Sequence, residues 1–490
     1  MSFVRKVQLS CLTVILVSSG ALFAGRASAQ PLVPPVDLGQ IQSQLQAQLD
    51  GALDQLPKMG DFINPIVPPP NPPQIVGETP PIAQIPQSDS GEPMISEDLY
   101  ALMQPSPVGD AFFDEWPADL ASYANGEIIG NSVEVTAKAE AFFPTPGGVR
   151  VYQFKFKTTD SSGADSYATA SLVVPNTPWT GSASRPVLVD EKPIDALGRA
   201  CTPSYTLKNG LNFATNPTDF IPPASQAAVL RNYAVLIPDH EGPRMSYAEP
   251  VVAGRITLDA IRAMQQFDPK YGDSAMVVNG YSGGAIATRG TALEVASYAP
   301  ELAKNIKLAV MGGNPIDYQV LSWSMDGPAN LASGIFHGAT IGYLRSHPQG
   351  FLEANNAALQ LIMSPYKDAC VIGEALIGTL IPTWVLTNDG DPYASDFAQK
   401  VFQEQRDMMR RKSAVPLFIF NGAHEFWIPS EPARRFAKIQ CEQGVAVTYG
   451  EYLGEHGIAA LTAIPDQFTA IDRTLQSGID APTQNNCASI

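Results

Sequence analysis

The stretch that decides the fold is AMVVNGYSGGAIATRGTALEVASYA, residues 275–299. Its first four residues predict a short buried strand, and the alanine-rich part after Gly284 predicts a helix. Between them, Gly280-Tyr281-Ser282-Gly283-Gly284 has the form G-x-S-x-G. A tight turn from strand to helix exposes a serine hydroxyl, and its small neighbours let the backbone pass close by. The stretch therefore predicts a nucleophilic serine, Ser282, at one edge of an α/β sheet.

A serine on such a turn needs a histidine base, which follows it in the chain. The chain has five histidines. His456 lies in a loop between a predicted strand and the last predicted helix, and from such a loop a base can reach the serine. The other four precede the serine, fall in a helical stretch or stand where the acid is expected: His240, His337, His347 and His424. We therefore predict that His456 is the base.

Two residues compete for the acid that orients the base. Glu425, in PLFIFNGAHEFWIP, comes just after a predicted strand, where a loop would expose its carboxylate. Asp391 is of the commoner residue type, but it follows Asn388-Asp389-Gly390, which is typical of a turn, and stands in a helical region. We favour Glu425 and keep Asp391 as the alternative.

Further along the chain, short apolar runs alternate with helical patterns. Two strands come first, one around Tyr152 to Phe156 and one over Ala168 to Val174, and we expect them to be antiparallel. Later runs are followed by helices, which favours a largely parallel sheet with helices on both faces. The predicted fold class is therefore α/β, with a helical insertion over about 314–411 where a cap or lid would lie.

The first part of the chain reads differently. Residues 1–29 predict a secretory signal, with Arg5 and Lys6 before an apolar run and Ala27-Ser28-Ala29 as a cleavage site. Residues 30–97 hold clustered prolines that favour an extended linker, and leucines between Leu38 and Leu56 predict one amphipathic helix within it. The catalytic domain is predicted over 98–490. We expect an exported protein, secreted or held in the periplasm or cell envelope, without a later membrane span.

Charge excludes one class of function. The chain of 490 residues has 31 Lys and Arg against 48 Asp and Glu, for a formal net charge of −17. Removal of residues 1–29 takes away three basic residues and no acidic one, so the charge becomes −20. Such a surface repels nucleic acid. Any approach to a lipid-water interface must therefore depend on apolar surface near the cap.

Four cysteines remain after the signal is removed, and they allow three pairings. No C-x-x-C is present, so two disulfides in an oxidising compartment are favoured over a metal site. We expect Cys441 to pair with Cys487, which ties the C-terminal tail to the helix before the last strand. Cys201 then pairs with Cys370 by elimination.

Residues 109–478 resemble the secretory lipase family, the lipase A type of α/β-hydrolase. The ordered pieces that carry the resemblance are GDAFFDEWPADLASYANGEII, CTPSY, DHEGPRMSY, LDAIRA, NGYSGG, YAPEL, GGNPID, CEQGVAVTYGEYLGEHG and DRTLQSG. The resemblance implies that Ser282 is the nucleophile and His456 the base. It aligns Glu425 with a family position that usually holds Asp, and the longer side chain requires the loop to set back slightly.

The resemblance also implies an oxyanion hole formed by the backbone N–H groups of Gly283 and Asp195, and a cap that lines an acyl tunnel. The expected reaction is hydrolysis of lipid-like carboxylic esters through an acyl-enzyme, with no metal or organic cofactor. Two alternatives stay open, an enzyme of the same fold that transfers the acyl group or cleaves peptides, and an inactive scaffold that binds envelope partners.

Overall fold

The computed structural model describes residues 103–210, 215–220, 223–327, 330, 332–347, 350, 366–379, 381–387, 391–477 and 485–490. The predicted signal segment, the proline-rich linker and its predicted amphipathic helix lie outside the described residues.

One nine-stranded sheet runs through the described residues, in the order β1-β2-β3-β5-β4-β6-β7-β8-β9. The pairs β1/β2, β2/β3 and β3/β5 are antiparallel. The pairs β5/β4, β4/β6, β6/β7, β7/β8 and β8/β9 are parallel. The α/β class and the early antiparallel strands are thus confirmed. The strands are β1 Val133–Glu134, β2 Val149–Thr159, β3 Asp165–Pro175, β4 Val187–Glu191, β5 Ala234–Pro238, β6 Met276–Tyr281, β7 Ile306–Gly312, β8 Leu417–Gly422 and β9 Val447–Tyr452.

Helices surround the sheet. Those before β7 are α1 Ala111–Asp114, α2 Thr136–Ala139, α3 Pro203–Asn209, α4 Ala224–Leu230, α5 Pro250–Phe267 and α6 Gly283–Tyr298. Those after β7 are α7 Tyr318–Met325, α8 Ser333–Ser346, α9 Val371–Gly378, α10 Asp396–Met409, α11 Ser430–Glu442, α12 His456–Thr462 and α13 Ile464–Ser477.

The central strands are buried on both faces, and alternate residues point into two separate cores. On β6, Met276 and Val278 pack with residues of α5, α6 and α11. Val277 and Tyr281 pack on the other face with residues of α2, α4 and α13. Since successive side chains of a strand point to opposite faces, an uninterrupted apolar run needs helices on both sides. This three-layer packing fixes the carboxyl ends of the parallel strands, where the site lies.

Between β7 and β8 the described elements are helical, and α7, α8, α9 and α10 fall within the predicted insertion 314–411. Two disulfides are present, Cys201 with Cys370 and Cys441 with Cys487. The first joins the turn before α3 to the residue that caps α9. The second joins α11 to the C-terminal segment. These are the two pairs that the sequence analysis expects.

Candidate active site

Ser282 stands between the last residue of β6 and the first residue of α6. Its backbone has φ 56° and ψ −121°, a region that non-glycine residues rarely adopt. The glycines around it allow close contacts: a Cβ at Gly280 would lie 2.1 Å from the carbonyl oxygen of Gly284, and a Cβ at Gly284 would lie 2.0 Å from that of Glu191. The turn therefore requires glycine at both positions, and it holds the serine hydroxyl out at the start of a helix.

The imidazole of His456 faces this hydroxyl. Its Nε2 lies 2.9 Å from the Oγ of Ser282, and its Nδ1 lies 2.9 Å from Oε2 of Glu425. His456 is the first residue of α12, after β9. The structure thus brings a hydroxyl, an imidazole and a carboxylate into one hydrogen-bonded line, the arrangement by which a serine is activated as a nucleophile.

Glu425 is held by its own loop after β8. Its side chain is only 1% exposed, and its Oε1 accepts hydrogen bonds from the backbone N–H groups of Trp427 and Ile428, each at 3.2 Å. One oxygen is therefore fixed by the backbone, and the other is left for the imidazole. The loop accommodates the extra methylene of Glu with hydrogen-bonding distance retained.

Two residues that the sequence analysis did not assign fix the position of His456. The hydroxyl of Tyr281 donates to the carbonyl oxygen of His456 at 2.5 Å, and the two rings lie 5.0 Å apart. Gly313, at φ 56°, approaches the imidazole so closely that a Cβ there would lie 2.6 Å from its Cε1. The only sequence feature that could have indicated a role for Tyr281 is its position directly before Ser282 in the G-x-S-x-G motif.

Asp195 and Gly283 lie against each other beside the serine. A Cβ at Gly283 would lie 1.8 Å from Oδ1 of Asp195, so only glycine fits there. Burial raises the pKa of the Asp195 carboxyl, whereas the nearby Tyr247 hydroxyl, His456 and the Gly283 N–H lower it. The carboxyl of Asp195 therefore lies directly against the start of α6.

An apolar cavity of about 310 Å³ opens on Ser282 and His456. Its walls come from the insertion helices and from the loop that carries Glu425. Among the lining residues are Leu321, Met325, Phe336, Tyr343, Phe402 and Trp427. An apolar cavity that ends at a serine and an imidazole can bind an extended hydrocarbon group, so that the carbonyl next to this group lies at the serine.

The structure places the competing residues elsewhere. Asp391 is exposed, and its carboxylate accepts from the Tyr393 N–H at the start of a short helical turn. Of the other histidines, His240 is buried against Glu191 and His424 is exposed. His337 lies 3.7 Å from Asp326, and His347 lies 3.5 Å from Glu249. None of these four has a hydrogen bond to Ser282 among the described residues.

Among the described ranges, no group of three or more His, Cys, Asp or Glu side chains is placed to hold a metal ion. No helix within those same ranges is long and apolar enough to span a bilayer.

The chain matches known proteins over most of the predicted catalytic domain. Residues 223–478 match the family model described as secretory lipase. Lipase A of Moesziomyces aphidis is 27% identical over 371 residues, which are 72% of this chain and 76% of that protein. A secreted triacylglycerol lipase of Malassezia globosa is 27% identical over 373 residues, which are 71% of this chain and 74% of that protein.

Solved structures share the fold. Candida antarctica lipase A in its closed state superposes with a TM-score of 0.69 at 24% identity, covering 79% of this chain and 90% of that one. The rice cell wall degrading esterase LipA of Xanthomonas oryzae gives a TM-score of 0.51 at 18% identity, covering 72% and 97%. At these identities the likeness concerns the α/β-hydrolase architecture.

Proposed function

Because the chain belongs to the secretory lipase family, it is an ester hydrolase, and we propose that it cleaves lipid esters through an acyl-enzyme formed on Ser282. The observation that supports this mechanism is the hydrogen-bonded line from Ser282 through His456 to Glu425 at one end of an apolar cavity. The protein acts outside the cell that makes it, as secretory family membership implies.

In the first half of the reaction, Nε2 of His456 accepts the proton of Ser282 while Oγ attacks the ester carbonyl carbon. Glu425 holds the Nδ1 proton and offsets the positive charge that develops on the imidazole. The tetrahedral intermediate expels the alcohol, which takes a proton from His456, and the acyl group stays on Ser282. Water, activated by the same imidazole, then releases the carboxylic acid and restores the hydroxyl.

The oxyanion of the tetrahedral intermediate is held by Gly283 and Asp195. The Gly283 N–H lies at the start of α6, where backbone N–H groups favour negative charge. The backbone N–H of Asp195, whose carboxyl lies against Gly283, is the second donor to the oxyanion.

Acyl transfer to an alcohol is the alternative that uses the same acyl-enzyme. A hydrolysis assay with p-nitrophenyl esters of increasing acyl length tests the proposal. We expect kcat/KM to rise by about fourfold per methylene, since burial of each CH₂ contributes about 0.8 kcal/mol. The rise should stop when the cavity is full. Free acid, measured in the presence of added alcohol, should be the main product, and the matching anilide should react far more slowly.

The variant Ala339→Phe is the control for the cavity, because Ala339 lines it on α8 and is none of the three residues of the hydrogen-bonded line. It should remove the preference for long chains and spare the short ester. A wild-type protein that hydrolyses no ester would overturn the proposed function, and an unchanged chain-length profile in Ala339→Phe would overturn the acyl role of the cavity.

We also propose that the protein docks on an uncharged lipid-water interface through an apolar rim, defined as Trp323, Phe426, Leu453 and Leu461. These four side chains are 68%, 43%, 65% and 55% exposed. Their elements are connected by hydrogen bonds: Ser324 donates to the Trp427 carbonyl oxygen at 2.6 Å, and Thr462 donates to that of Leu453 at 2.8 Å. Two of the rim side chains thus belong to elements connected at the Glu425 loop, and the other two flank His456 in the chain.

Charge selects the kind of lipid surface. The net charge of −17, or −20 without residues 1–29, opposes contact with anionic lipid, so burial of the rim must supply the binding free energy. Each large apolar side chain contributes about 1.5–3 kcal/mol when buried. A surface of neutral acylglycerol fits both conditions, and it is also the source of the ester.

The double variant Trp323→Ser with Leu453→Ser tests this docking. We expect its rate on a triacylglycerol emulsion to fall at least about tenfold, since about 1.4 kcal/mol corresponds to a factor of ten. Its kcat/KM on a soluble short ester should stay within twofold of wild type. In a sedimentation assay, most of the wild-type protein should bind to vesicles of neutral lipid, and a much smaller fraction should bind to vesicles of anionic lipid.

Leu230→Ser provides the matched control. Leu230 is 62% exposed, but it ends α4 just before β5 begins, so it lies at the opposite edge of the sheet from the site. Its loss should leave the emulsion rate unchanged. Equal losses in Leu230→Ser and in the rim variant would argue against a specific docking surface.

A further inference from the structure

Three residues with left-handed backbone conformation lie in the two loops next to Ser282. Asp195 has φ 44°, Met245 has φ 51° and Ala248 has φ 66°. All three are buried. A non-glycine residue held in this region is strained, so it persists only where the surroundings impose it. The loops of Asp195 and Met245 therefore need an external anchor.

Arg345, on the insertion helix α8, meets both loops. Its side chain is fully buried and carries no carboxylate partner within hydrogen-bonding distance among the described residues. Its guanidinium donates instead to backbone carbonyl oxygens of five residues: Leu197 at 2.7 Å, Arg244 at 3.0 Å, Met245 at 3.2 Å, Lys367 at 2.8 Å and Met103 at 2.6 Å. One planar group with five N–H donors thus joins four separate chain segments.

Other contacts between the insertion and these loops act in the same direction. The backbone N–H groups of Leu197 and Gly198 donate to the carbonyl oxygen of Ala369, at 2.9 and 3.3 Å. A Cβ at Gly342, one turn before Arg345 on α8, would lie 2.6 Å from the Cβ of Tyr247. The insertion helix therefore lies directly on the loop between Arg244 and Ala248.

Tyr247 links this packing to the oxyanion site. Burial and the nearby carboxyl of Asp195 raise the pKa of the Tyr247 hydroxyl, and both residues line the cavity with Ser282. A displacement of Met245 would move Tyr247, which is two residues later in the chain. A displacement of Leu197 would likewise move Asp195, which is two residues before it. The position of the Asp195 carboxyl against Gly283 thus depends on two loops that share Arg345 as their anchor.

We propose that Arg345 is a positioning residue for ester hydrolysis, which from α8 holds the Asp195 turn and the Tyr247 loop in the geometry that binds the oxyanion. The inference rests on the proposed function. It implies that α8 is a fixed part of the oxyanion site, so that any opening of the insertion must leave this helix in place.

The variant Arg345→Lys tests the inference, because a single ammonium cannot reach all five carbonyl oxygens. We expect kcat on a soluble ester to fall about 10- to 100-fold with KM within twofold, measured at a temperature where the variant is folded. Binding of an alkyl boronic acid, whose tetrahedral adduct on Ser282 carries a negative oxygen, should weaken by the same factor. A role in stability alone would lower Tm and leave both quantities unchanged.

Arg289→Lys is the matched control. Arg289 is also fully buried and donates to the Ile316 carbonyl oxygen and to Gln405, and among the described residues it has no hydrogen bond to either loop. Its substitution should lower Tm and leave kcat within twofold. Should Arg345→Lys fail to fold, Tyr247→Phe decides the question, since it removes only the hydroxyl that contacts Asp195. We expect kcat of Tyr247→Phe to fall about tenfold.

An unchanged kcat in folded Arg345→Lys would overturn the proposal, and so would an unchanged kcat in Tyr247→Phe if the first variant does not fold. A wild-type protein without any esterase activity is a different result, because it removes the proposed function before the role of Arg345 is addressed.

Discussion

Ser282→Ala is expected to lower kcat for ester hydrolysis by about a million-fold, with the protein still folded. The substitution removes the attacking oxygen and the hydrogen-bond partner of His456 Nε2, while the residual rate comes from binding and the oxyanion hole. Ala and Ser are equally strained in the backbone conformation at this position, so the substitution adds no backbone strain and the turn itself should be preserved. The measurement is kcat on a p-nitrophenyl ester, together with mass spectrometry after an alkyl phosphonate that labels the nucleophile.

A serine just before the other end of β6 provides the control. Ser274 is fully buried just before β6, and its hydroxyl donates to the Arg185 carbonyl oxygen at 2.8 Å. Ser274→Ala should cost about 1 kcal/mol of stability and leave kcat unchanged. A Ser282→Ala protein that keeps more than a few per cent of the rate, or that still takes up the phosphonate label, would remove Ser282 from the mechanism.

The second large effect is expected for Glu425→Gln, which should lower kcat by about ten thousand-fold. An amide at this position either presents N–H groups to Nδ1 of His456, which selects the wrong tautomer, or turns them toward the N–H groups of Trp427 and Ile428. Both arrangements lose the negative charge that offsets the imidazolium. KM should change little, because the carboxylate contacts His456 and its own loop only.

Asp391→Asn is the matched control, since Asp391 is exposed and caps a single helical turn. We expect its kcat within twofold of wild type. The assignment fails if Asp391→Asn abolishes activity and Glu425→Gln does not. Glu425→Asp adds a graded test: the loop is set for the longer side chain, so the residue type usual in the family should be less active here.

Much of the sheet could be predicted from the sequence, because parallel strands buried on both faces leave short uninterrupted apolar runs. The run AMVV and the glycines after it leave few alternatives to a tight strand-to-helix turn at Ser282. The choice of His456 followed from chain order and from its place in a loop between a predicted strand and the last predicted helix. The two-residue strand β1 has no such signal, since its register depends on β2, which lies about 20 residues later.

The surroundings of the oxyanion site were beyond sequence reasoning. The interactions of Arg345 with Leu197 and Met103 join residues 148 and 242 positions apart, and no local pattern marks such pairs. Met245 and Ala248 adopt left-handed backbone with ordinary side chains, so the residue type gave no sign of strain. For Asp195 the sequence indicated the residue, whereas the close contact of its carboxyl with Gly283 required the fold.

The disulfide between Cys201 and Cys370 closes a covalent ring of chain that contains Ser282 and Arg345 and leaves Glu425 and His456 outside it. One protease cut anywhere between residues 202 and 369 would open the ring without detaching either product, so all three catalytic residues would remain on one covalently joined molecule. A cut between residues 371 and 424 would divide them between two molecules. The ring therefore makes the longer stretch of chain the one where cleavage does least harm.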